Sequence, residues 1–264
     1  MSKQASKIFA GARRQQICDI INEKGQVSVT DLCETFEVSP ATIRTDLRVL
    51  EENGALARVY GGAVAIQSQN LISPNSNLPS ANYSTIQAIA QTAVTFVQPG
   101  DIIALDSGMT MFEFAKLLTH IDNLTIVTND LHIVAYLEEK TKVNTIMAGG
   151  AVNRQFHCTT GQTAIDTIST LHVDKVFATA TGVDIQRGLS TTDMAVANFK
   201  SRLIESGDKI FLLADSQKLA KNSFVFYAPL SKADVLVTDD QAPSHFIKAI
   251  QQYGLEVVVA QTNH

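Results

Sequence analysis

The stretch from residue 38 to residue 64, VSPATIRTDLRVLEENGALARVYGGAV, decides the fold of the first part of the chain. Ser39 and Pro40 are typical of a helix start, because serine accepts a hydrogen bond from the first turn and proline lacks only a donor that is unpaired there anyway. Three aliphatic residues follow at helical spacing and share one face: Ile43, Leu47 and Leu50. The pattern therefore predicts a helix that begins near Ser39 and buries this face.

The rest of this helix surface is small, polar or basic. It carries Ala41, Thr42, Arg44, Thr45 and Arg48. Asn53 and Gly54 end the helix, since both residues tolerate the left-handed conformation that closes a helix C-terminus. Residues 56–60 and the pair Ala63-Val64 then indicate two short strands around a glycine turn. The stretch is thus predicted to form a helix with a basic outer surface, followed by a small hairpin, or wing.

Two further helices precede this one. Residues 13–24 carry three isoleucines on one helical face, Ile17, Ile20 and Ile21, and Gly25 ends the segment. A second apolar face follows, made of Val29, Leu32, Cys33 and Phe36. Only residues 37–39 separate this second helix from the third, a turn short enough for a helix-turn-helix. The chain is therefore predicted to begin with a small winged helix-turn-helix domain.

This domain is predicted to bind double-stranded DNA. An arginine-bearing helix face alone is usually a solvated surface, but here the capped helix, the short turn, the basic face and the wing occur together and in order. Arginine on a helix that enters the major groove binds guanine edges or phosphates. The candidate DNA-binding residues are Ser39, Ala41, Thr42, Arg44, Thr45, Arg48, Arg58, Tyr60 and Gly61.

Net charge supports DNA binding only weakly. Residues 1–62 hold eight basic and eight acidic residues, so the net charge of −5 lies outside this domain. Seven basic residues can still form a local positive surface: Lys3, Lys7, Arg13, Arg14, Arg44, Arg48 and Arg58. Because a domain without net charge has modest nonspecific affinity, we expect a homo-oligomer, a dimer or a tetramer, that binds repeated half-sites.

Residues 13–64 resemble the DNA-binding domain of the DeoR family of bacterial transcriptional regulators. That family typically carries a recognition helix of the type TIRxDLxxLExxG followed by RxxGGA. The matching residues are Thr42-Ile43-Arg44, Asp46-Leu47, Leu50-Glu51, Gly54, Arg58 and Gly61-Gly62-Ala63. Thr45 departs from the pattern, because a second basic residue is usual there. The resemblance therefore implies that one DNA contact is missing and that the operator preference differs.

Residues 65–82, AIQSQNLISPNSNLPSAN, show little periodicity, and we interpret them as a linker. From residue 83 onward, helices alternate with short β-rich runs at residues 102–106, 125–129, 143–148, 175–180, 209–215, 235–239 and 255–260. Such alternation is typical of a mostly parallel sheet covered by helices. The predicted organisation is a DNA-binding domain at residues 1–64, the linker, and an α/β domain at residues 83–264 for effector sensing and oligomerisation.

Composition argues against several other classes of protein. The 264 residues are 45% hydrophobic, enough for an α/β core beside the small domain. No apolar run has the length of a membrane span and no signal peptide is recognisable, so we expect a cytoplasmic protein without a membrane partner. Cys18, Cys33 and Cys158 give no disulfide framework. The six histidines lack a metal-ligand spacing, and neither a metal nor another cofactor is predicted.

The loop after the first strand of the second domain is a candidate anion site. In residues 101–118, DIIALDSGMTMFEFAKLL, a strand leads through a glycine-containing loop into a helix. Such a loop presents backbone N–H groups and the positive end of the helix to an anion. Ser107, Gly108 and Thr110 allow close approach of a phosphate, although a plain strand-to-helix turn has the same pattern.

Other predicted strand ends also carry small or polar residues, at the edge where ligands of open α/β sheets bind. Lys200 and Lys218 are candidate cations for a charged ligand, although a single surface lysine is usually only solvated. The candidate effector-binding residues are Asp106, Ser107, Gly108, Met109, Thr110, Thr128, Asn129, Gly149, Gly150, Gly182, Lys200, Asp215 and Lys218.

These loops resemble the sensor domain of the DeoR family, which is similar in fold to ribose-5-phosphate isomerase. The match also includes Gly161, Gly188-Leu189 and Ser216. The resemblance implies that the domain binds a phosphorylated sugar or related metabolite, which usually releases the repressor from its operator. Five positions depart from the family pattern: Ile86, Met109, Thr179, Thr181 and Val196. Val196 replaces a common glutamate and so removes an acceptor for sugar hydroxyls.

Three functions remain open from the sequence. The leading hypothesis is a DNA-binding regulator, a repressor of a carbohydrate uptake or catabolic operon that a sugar phosphate controls. The second keeps DNA binding but reduces the C-terminal domain to an oligomerisation module with a degenerate pocket. The third is a sugar-phosphate isomerase-like enzyme in which Asp106 or Asp184 acts as a base. No histidine lies beside these motifs, and no catalytic residue is predicted.

Overall fold

The computed structural model describes residues 10–24, 26–52, 55–59, 62–64 and 80–262. The chain divides into two compact units, residues 1–69 and residues 70–264. Each unit contains its own hydrophobic core, and each is therefore described by itself.

The described part of the first unit contains three helices and three short strands. In chain order they are α1 (Ala10–Lys24), β1 (Gln26–Ser28), α2 (Val29–Phe36), α3 (Pro40–Glu52), β2 (Ala57–Val59) and β3 (Gly62–Val64). The strands form an antiparallel sheet in the order β1-β3-β2. β2 and β3 are the predicted wing. β1 was not predicted, because it lies between two helical segments and pairs with β3, more than 30 residues away along the chain.

The apolar faces predicted for the three helices meet in one core. Ile17, Ile21, Leu32, Ile43 and Leu47 are each at most 1% exposed. Ser39 caps α3 as predicted, since its Oγ accepts a hydrogen bond from Thr42 N at 3.3 Å. Glu37 closes α2 in the left-handed conformation, with φ of 52°, so the turn to α3 is short. The predicted winged helix-turn-helix is therefore confirmed.

The second unit has six α-helices among its described residues: α4 (Ser80–Val94), α5 (Met109–Leu117), α6 (Leu131–Lys140), α7 (Gln162–Ser169), α8 (Met194–Glu205) and α9 (Ser244–Gln252). Three short 3-10 helices cover Leu118–His120, Ser216–Lys218 and Leu230–Lys232. α4 begins inside the stretch 65–82 that we interpreted as a linker, and residues 65–79 of that stretch lie outside the described residues. No helix in the described ranges combines the length and the apolarity that crossing a membrane requires.

The strands of the second unit are β4 (Ile102–Leu105), β5 (Thr125–Thr128), β6 (Asn144–Met147), β7 (Ala151–Asn153), β8 (Cys158–Thr160), β9 (Val173–Thr179), β10 (Gly182–Asp184), β11 (Gly188–Thr191), β12 (Gly207–Leu213), β13 (Val225–Ala228), β14 (Val235–Asp239) and β15 (Glu256–Ala260). Seven of them form one sheet in the order β15-β14-β12-β9-β4-β5-β6. All of its neighbouring strands are parallel. These seven strands are the seven predicted β-rich runs, so the α/β fold is confirmed.

Helices cover both faces of this sheet. Side chains of α4, α5 and α6 pack on one face, and side chains of α7, α8 and α9 pack on the other. On the first face, Phe177 of β9 and Phe211 of β12 stack with their ring centroids 4.8 Å apart, and Phe114 of α5 lies 4.5 Å from Phe177. This aromatic column anchors α5 to the middle of the sheet.

Two small antiparallel units are formed by strands that lie, along the chain, between strands of the large sheet. β7 and β8 form a hairpin, and β10, β11 and β13 form a three-stranded sheet in the order β10-β11-β13. None of these five strands was predicted, and four of them, β7, β8, β10 and β11, lack the apolar run that marks the strands of the large sheet.

Candidate functional site

The outer surface of α3 is the candidate DNA-binding surface. Ala41, Arg44, Thr45 and Arg48 are exposed, whereas Ile43, Leu47 and Leu50 on the opposite side are buried. Spacings of three, four and seven residues place the exposed four on one stripe of the helix. We call these four residues the α3 stripe. Its width and composition suit insertion into the major groove.

Ser39 and Thr42 stabilise the start of the recognition helix. Their hydroxyl oxygens lie 3.0 Å apart, in addition to the cap bond from Thr42 N. Thr45 Oγ1 donates to the carbonyl of Ala41 at 3.0 Å. Arg58 lies in β2 opposite Ala63, and only its backbone is described. Tyr60 and Gly61, the other predicted wing contacts, lie outside the described residues, as do Lys3, Lys7, Asn53 and Gly54.

Asp46 holds α1 against α3. Its carboxylate is 1% exposed and accepts hydrogen bonds from Arg13 Nε at 2.6 Å and Arg14 Nε at 2.9 Å. The prediction that Arg13 belongs to a positive surface was therefore wrong, since Arg13 is only 8% exposed. Composition alone could not reveal that this arginine neutralises a buried carboxylate on another helix.

The carboxyl ends of β4, β5, β6, β9 and β12 meet at one edge of the parallel sheet, as predicted for the effector-binding residues. α5 begins there directly after Gly108, whose φ of 123° favours glycine. A Cβ at Gly108 would meet no heavy atom within 4 Å, so the space beside this residue is open. Met109 and Thr110, the first residues of α5, are half-buried.

Asp106 is the centre of a buried network that joins two of these loops to α8. Its Oδ1 accepts from Ser107 N at 2.8 Å, and its Oδ2 accepts from Thr179 N and Thr179 Oγ1, each at 2.8 Å. The ammonium of Lys200 forms an ion pair with the same Oδ2. This carboxylate therefore binds the loops after β4 and β9 to α8.

Lys200 is not a surface lysine. It is 5% exposed, and its Nζ also donates to Thr179 O at 3.1 Å and to Thr179 Oγ1 at 3.0 Å. Tyr227 of β13 donates its phenolic hydrogen to Thr179 O at 2.7 Å, and burial raises its pKa well above the usual value. Lys200 therefore neutralises Asp106, and little of its charge remains for a ligand.

The loop after β5 contains a second buried polar group. Asn129 Nδ2 donates to Thr159 O at 2.8 Å, whereas Asn129 Oδ1 is buried and has no hydrogen-bond partner among the described residues. Thr128 is also buried, and its Oγ1 accepts from Asp130 N at 3.1 Å. The orphan amide oxygen of Asn129 is an acceptor that a ligand hydroxyl could satisfy.

Asp130 connects the loops after β4 and β5, and the sequence analysis did not select it. Its Oδ2 accepts from Gly108 N at 3.0 Å, and its Oδ1 caps α6 by accepting from His132 N at 2.8 Å and Ile133 N at 3.0 Å. Burial raises the pKa of this carboxyl above its usual value of 3.8. An aspartate directly before an apolar helical run is a capping signal that could have identified it.

Two of the predicted glycines have a packing role. A Cβ at Gly150 would lie 2.5 Å from Thr160 O, and one at Gly182 would lie 2.6 Å from Lys221 O. Gly149 has no such neighbour. Asp215 caps the following 3-10 helix through Gln217 N at 2.9 Å, and burial raises its pKa. Lys218, the last residue of that helix, is half-buried.

Two further groups of side chains, an apolar cluster and a histidine pair, belong to the loops and elements around the carboxyl edge of the sheet, and neither was predicted. Phe156, Cys158 and Val196 form the cluster. Burial raises the pKa of the Cys158 thiol to about 12, despite a hydrogen bond with Ser107. The rings of His132 and His157 lie 4.7 Å apart. Across the described ranges no group of three or more His, Cys, Asp or Glu residues could hold a metal ion.

Comparison with known proteins identifies both units. A model described as a DeoR-like helix-turn-helix domain matches residues 13–69, and one described as the DeoR C-terminal sensor domain matches residues 81–240.

Full-length relatives and a solved structure are also similar. The HTH-type transcriptional regulator YgbI of Escherichia coli is 34% identical over 94% of this chain and 97% of its own length. The HTH-type transcriptional repressor GlcR of Bacillus subtilis is 27% identical over 96% and 98%. Ribose 5-phosphate isomerase A of Methanocaldococcus jannaschii is 16% identical over 53% of this chain and 56% of that chain, with a TM-score of 0.40. The chain belongs to the DeoR family of transcriptional regulators.

Proposed function

We propose that this chain is a cytoplasmic repressor that binds operator DNA through the α3 stripe and releases it when a phosphorylated sugar or related metabolite binds the second unit. The observation that carries the DNA-binding part is the division of α3 into two sides. Arg44 and Arg48 are exposed on one side, and the other side is packed into the core. A capped, buried helix presents these arginines in a fixed geometry, which bidentate contacts to bases require.

The open space beside Gly108 and the start of α5 support an anionic ligand at the carboxyl edge of the sheet, although the Gly108 N–H itself donates to Asp130. Backbone N–H groups at a helix start stabilise a phosphate, and the unpaired Asn129 Oδ1 suits a sugar hydroxyl. The relative GlcR is named a transcriptional repressor. Release requires that the ligand bind the DNA-free arrangement more tightly than the DNA-bound one.

Fluorescence anisotropy on labelled DNA from the region upstream of the gene tests both parts. We expect sequence-specific binding that one phosphorylated sugar reverses and its unphosphorylated form does not. Arg44→Ala and Arg48→Ala should each weaken binding by about 1 to 3 kcal/mol if the arginine contacts a base. Lys248→Ala, which removes one exposed charge from α9, is the matched control. Equal affinity for unrelated DNA would overturn the proposal.

A second candidate is a regulator whose second unit has lost its ligand. The ion pair between Lys200 and Asp106 and the apolar cluster of Phe156, Cys158 and Val196 favour this candidate, because both reduce the polar groups available to a sugar. A thermal-shift screen with phosphorylated sugars separates the two candidates. Ligand at 100 times its dissociation constant should stabilise the second unit by about 2.7 kcal/mol, whereas a degenerate pocket would show no shift with any compound.

We do not propose isomerase activity. Of the two carboxylates considered as bases, Asp106 is paired with Lys200, and Asp184 Oδ1 accepts from Gln186 N at 2.9 Å and Arg187 N at 2.8 Å. Each therefore has a structural role in its loop, which leaves proton abstraction without a described base.

A further inference from the structure

The outer face of β13 is strongly apolar. Phe224, directly before the strand, is 78% exposed, and Phe226 within it is 40% exposed. Because side chains alternate along a strand, these two phenylalanines share one face while Val225 and Tyr227 point to the other. Tyr227 is 7% exposed and packs into the core. Two neighbouring aromatic side chains at this exposure are unusual on a monomer surface and mark an interaction site.

β13 is also an edge strand. In the described part of the chain it pairs with β11 on one side, with Leu189 opposite Ala228 and Thr191 opposite Val225, and with no strand on the other. Backbone N–H and C=O groups along an unpaired edge are a template for another strand. Proteins usually protect such edges with charged residues, yet the segment from residue 222 to residue 228, NSFVFYA, contains none.

The segment is complementary to itself. If two copies of β13 pair antiparallel about a two-fold axis at Val225, Phe224 lies opposite Phe226 of the partner subunit, and the same aromatic pair occurs twice. Cross-strand aromatic pairs are among the contacts that stabilise sheets most. Lys221, the nearest charged residue along the chain, would lie opposite Pro229 of the partner subunit, so no like charges would meet. Arg187, whose guanidinium lies 5.9 Å from the Phe226 ring, would cover the aromatic pair.

We propose that two copies of this chain associate through β13, paired antiparallel about Val225, into a continuous six-stranded sheet made of two β10-β11-β13 sheets. The interface is isologous and therefore closed, which limits it to a dimer. It does not depend on DNA or on a ligand. Where the proposed function holds, the same strand also touches the effector loops, because Tyr227 of β13 donates to Thr179 O in the Asp106 network.

Charge-swap variants test this pairing and its register. We would measure the mass of the full-length protein by sedimentation velocity and native mass spectrometry, without DNA or sugar. The two variants are Phe224→Asp/Phe226→Asp and Phe224→Lys/Phe226→Lys. In each variant alone, like charges lie opposite each other and two aromatic pairs are lost, so the dissociation constant of the interface should rise at least about tenfold. An equimolar mixture should restore the interface as a mixed species that contains one copy of each variant.

Controls separate the proposal from a general surface effect. Tyr253→Asp places a carboxylate on another exposed aromatic, 46% exposed after α9, and should leave the mass unchanged. If the double variants lose the circular dichroism spectrum of the folded protein, the single variant Phe224→Ser, at the more exposed of the two positions, replaces them in the same measurement. Two outcomes support the proposal: a wild-type dimer that the variants reduce to monomers, or a wild-type tetramer that they reduce to dimers. A monomeric wild type, variants that retain the wild-type mass, or a mixture of folded variants that forms no mixed species would each overturn it.

Discussion

At the scale of single residues, Asp46 is the clearest case of a side chain whose role the fold defines. It follows Thr45 on α3, so it lies one position from the α3 stripe but points into the unit. Two arginines of α1 share its carboxylate, at 2.6 Å and 2.9 Å. Removal of such a buried carboxylate destabilises the fold, because the arginines that contact it lose this counter-charge in a poorly solvated place.

We expect Asp46→Asn to lower the free energy of unfolding of the first unit by about 3 kcal/mol, because it removes the buried carboxylate that both Arg13 and Arg14 contact. Urea denaturation followed by circular dichroism measures this. Asp19→Asn, which removes an exposed carboxylate from α1, is the control and should change the free energy by less than about 0.5 kcal/mol. Equal effects of the two substitutions would mean that the ion pairs contribute nothing beyond net charge.

At the scale of secondary-structure elements, Asp130 organises the carboxyl edge of the sheet, where we propose that a ligand binds. It receives N–H groups from α5 and α6 at once, through Gly108 on one oxygen and His132 and Ile133 on the other. The starts of two helices are thereby fixed to each other, and the Asp130 carboxylate satisfies all three of these N–H groups.

Asp130→Asn should reduce the dependence of stability on pH. Burial raises the pKa of Asp130 above its usual 3.8, so in the window above that value the folded protein holds a proton that the unfolded chain has lost. The contribution of Asp130 to the free energy of unfolding is thus fully present at low pH, and it is lost as the pH rises through the pKa that Asp130 has in the folded protein. Urea midpoints of the second unit from about pH 4 to about pH 7 should fall less steeply in the variant. Asp166→Asn, which removes an exposed carboxylate, is the control and should keep the wild-type slope. If Asp130→Asn also kept the wild-type slope, Asp130 would not be the group with the raised pKa.

The elements that the sequence predicted are those with a repeating pattern. The strands of the large sheet appear as short, mostly apolar runs, and inner strands such as β4, β5 and β14 are largely buried, whereas α3 is marked by its cap and its spacing. The pairings of β1 and β13 could not be predicted in this way, because each of these short strands pairs with a strand more than 30 residues away along the chain.

The sequence also could not predict which side chains contact each other in the site. The positions of Asp106 and Lys200 at strand ends and helices indicated a polar edge, and the structure places both there. Their ion pair joins residues 94 positions apart, which no local pattern encodes. Lys200 was thus interpreted as a cation for the ligand, although its ammonium neutralises a carboxylate of the same domain.

At the scale of the whole molecule, the two units have separate cores, and no residue of one cluster belongs to another. We expect two unfolding transitions in calorimetry. Asp46→Asn should lower one by about 10 °C or more. Phe177→Ala, which empties the aromatic column at a cost of about 3 to 5 kcal/mol, should lower the other by a similar amount. A single transition that both substitutions shift would mean that the units unfold together.

The aromatic column has a consequence for how such a protein diversifies. The contact of Phe114 with Phe177, which stacks on Phe211, fixes α5 to the sheet. Phe114 follows Met109 and Thr110 by about one helical turn. Under the proposed function, the residues that face a ligand follow the strands and lie outside this column. Their side chains, such as those of Met109 and Thr181, can therefore be exchanged by mutation without loss of the column. The same fold can thus acquire a new metabolic signal during evolution by changing a few loop residues while its folding stability is inherited intact.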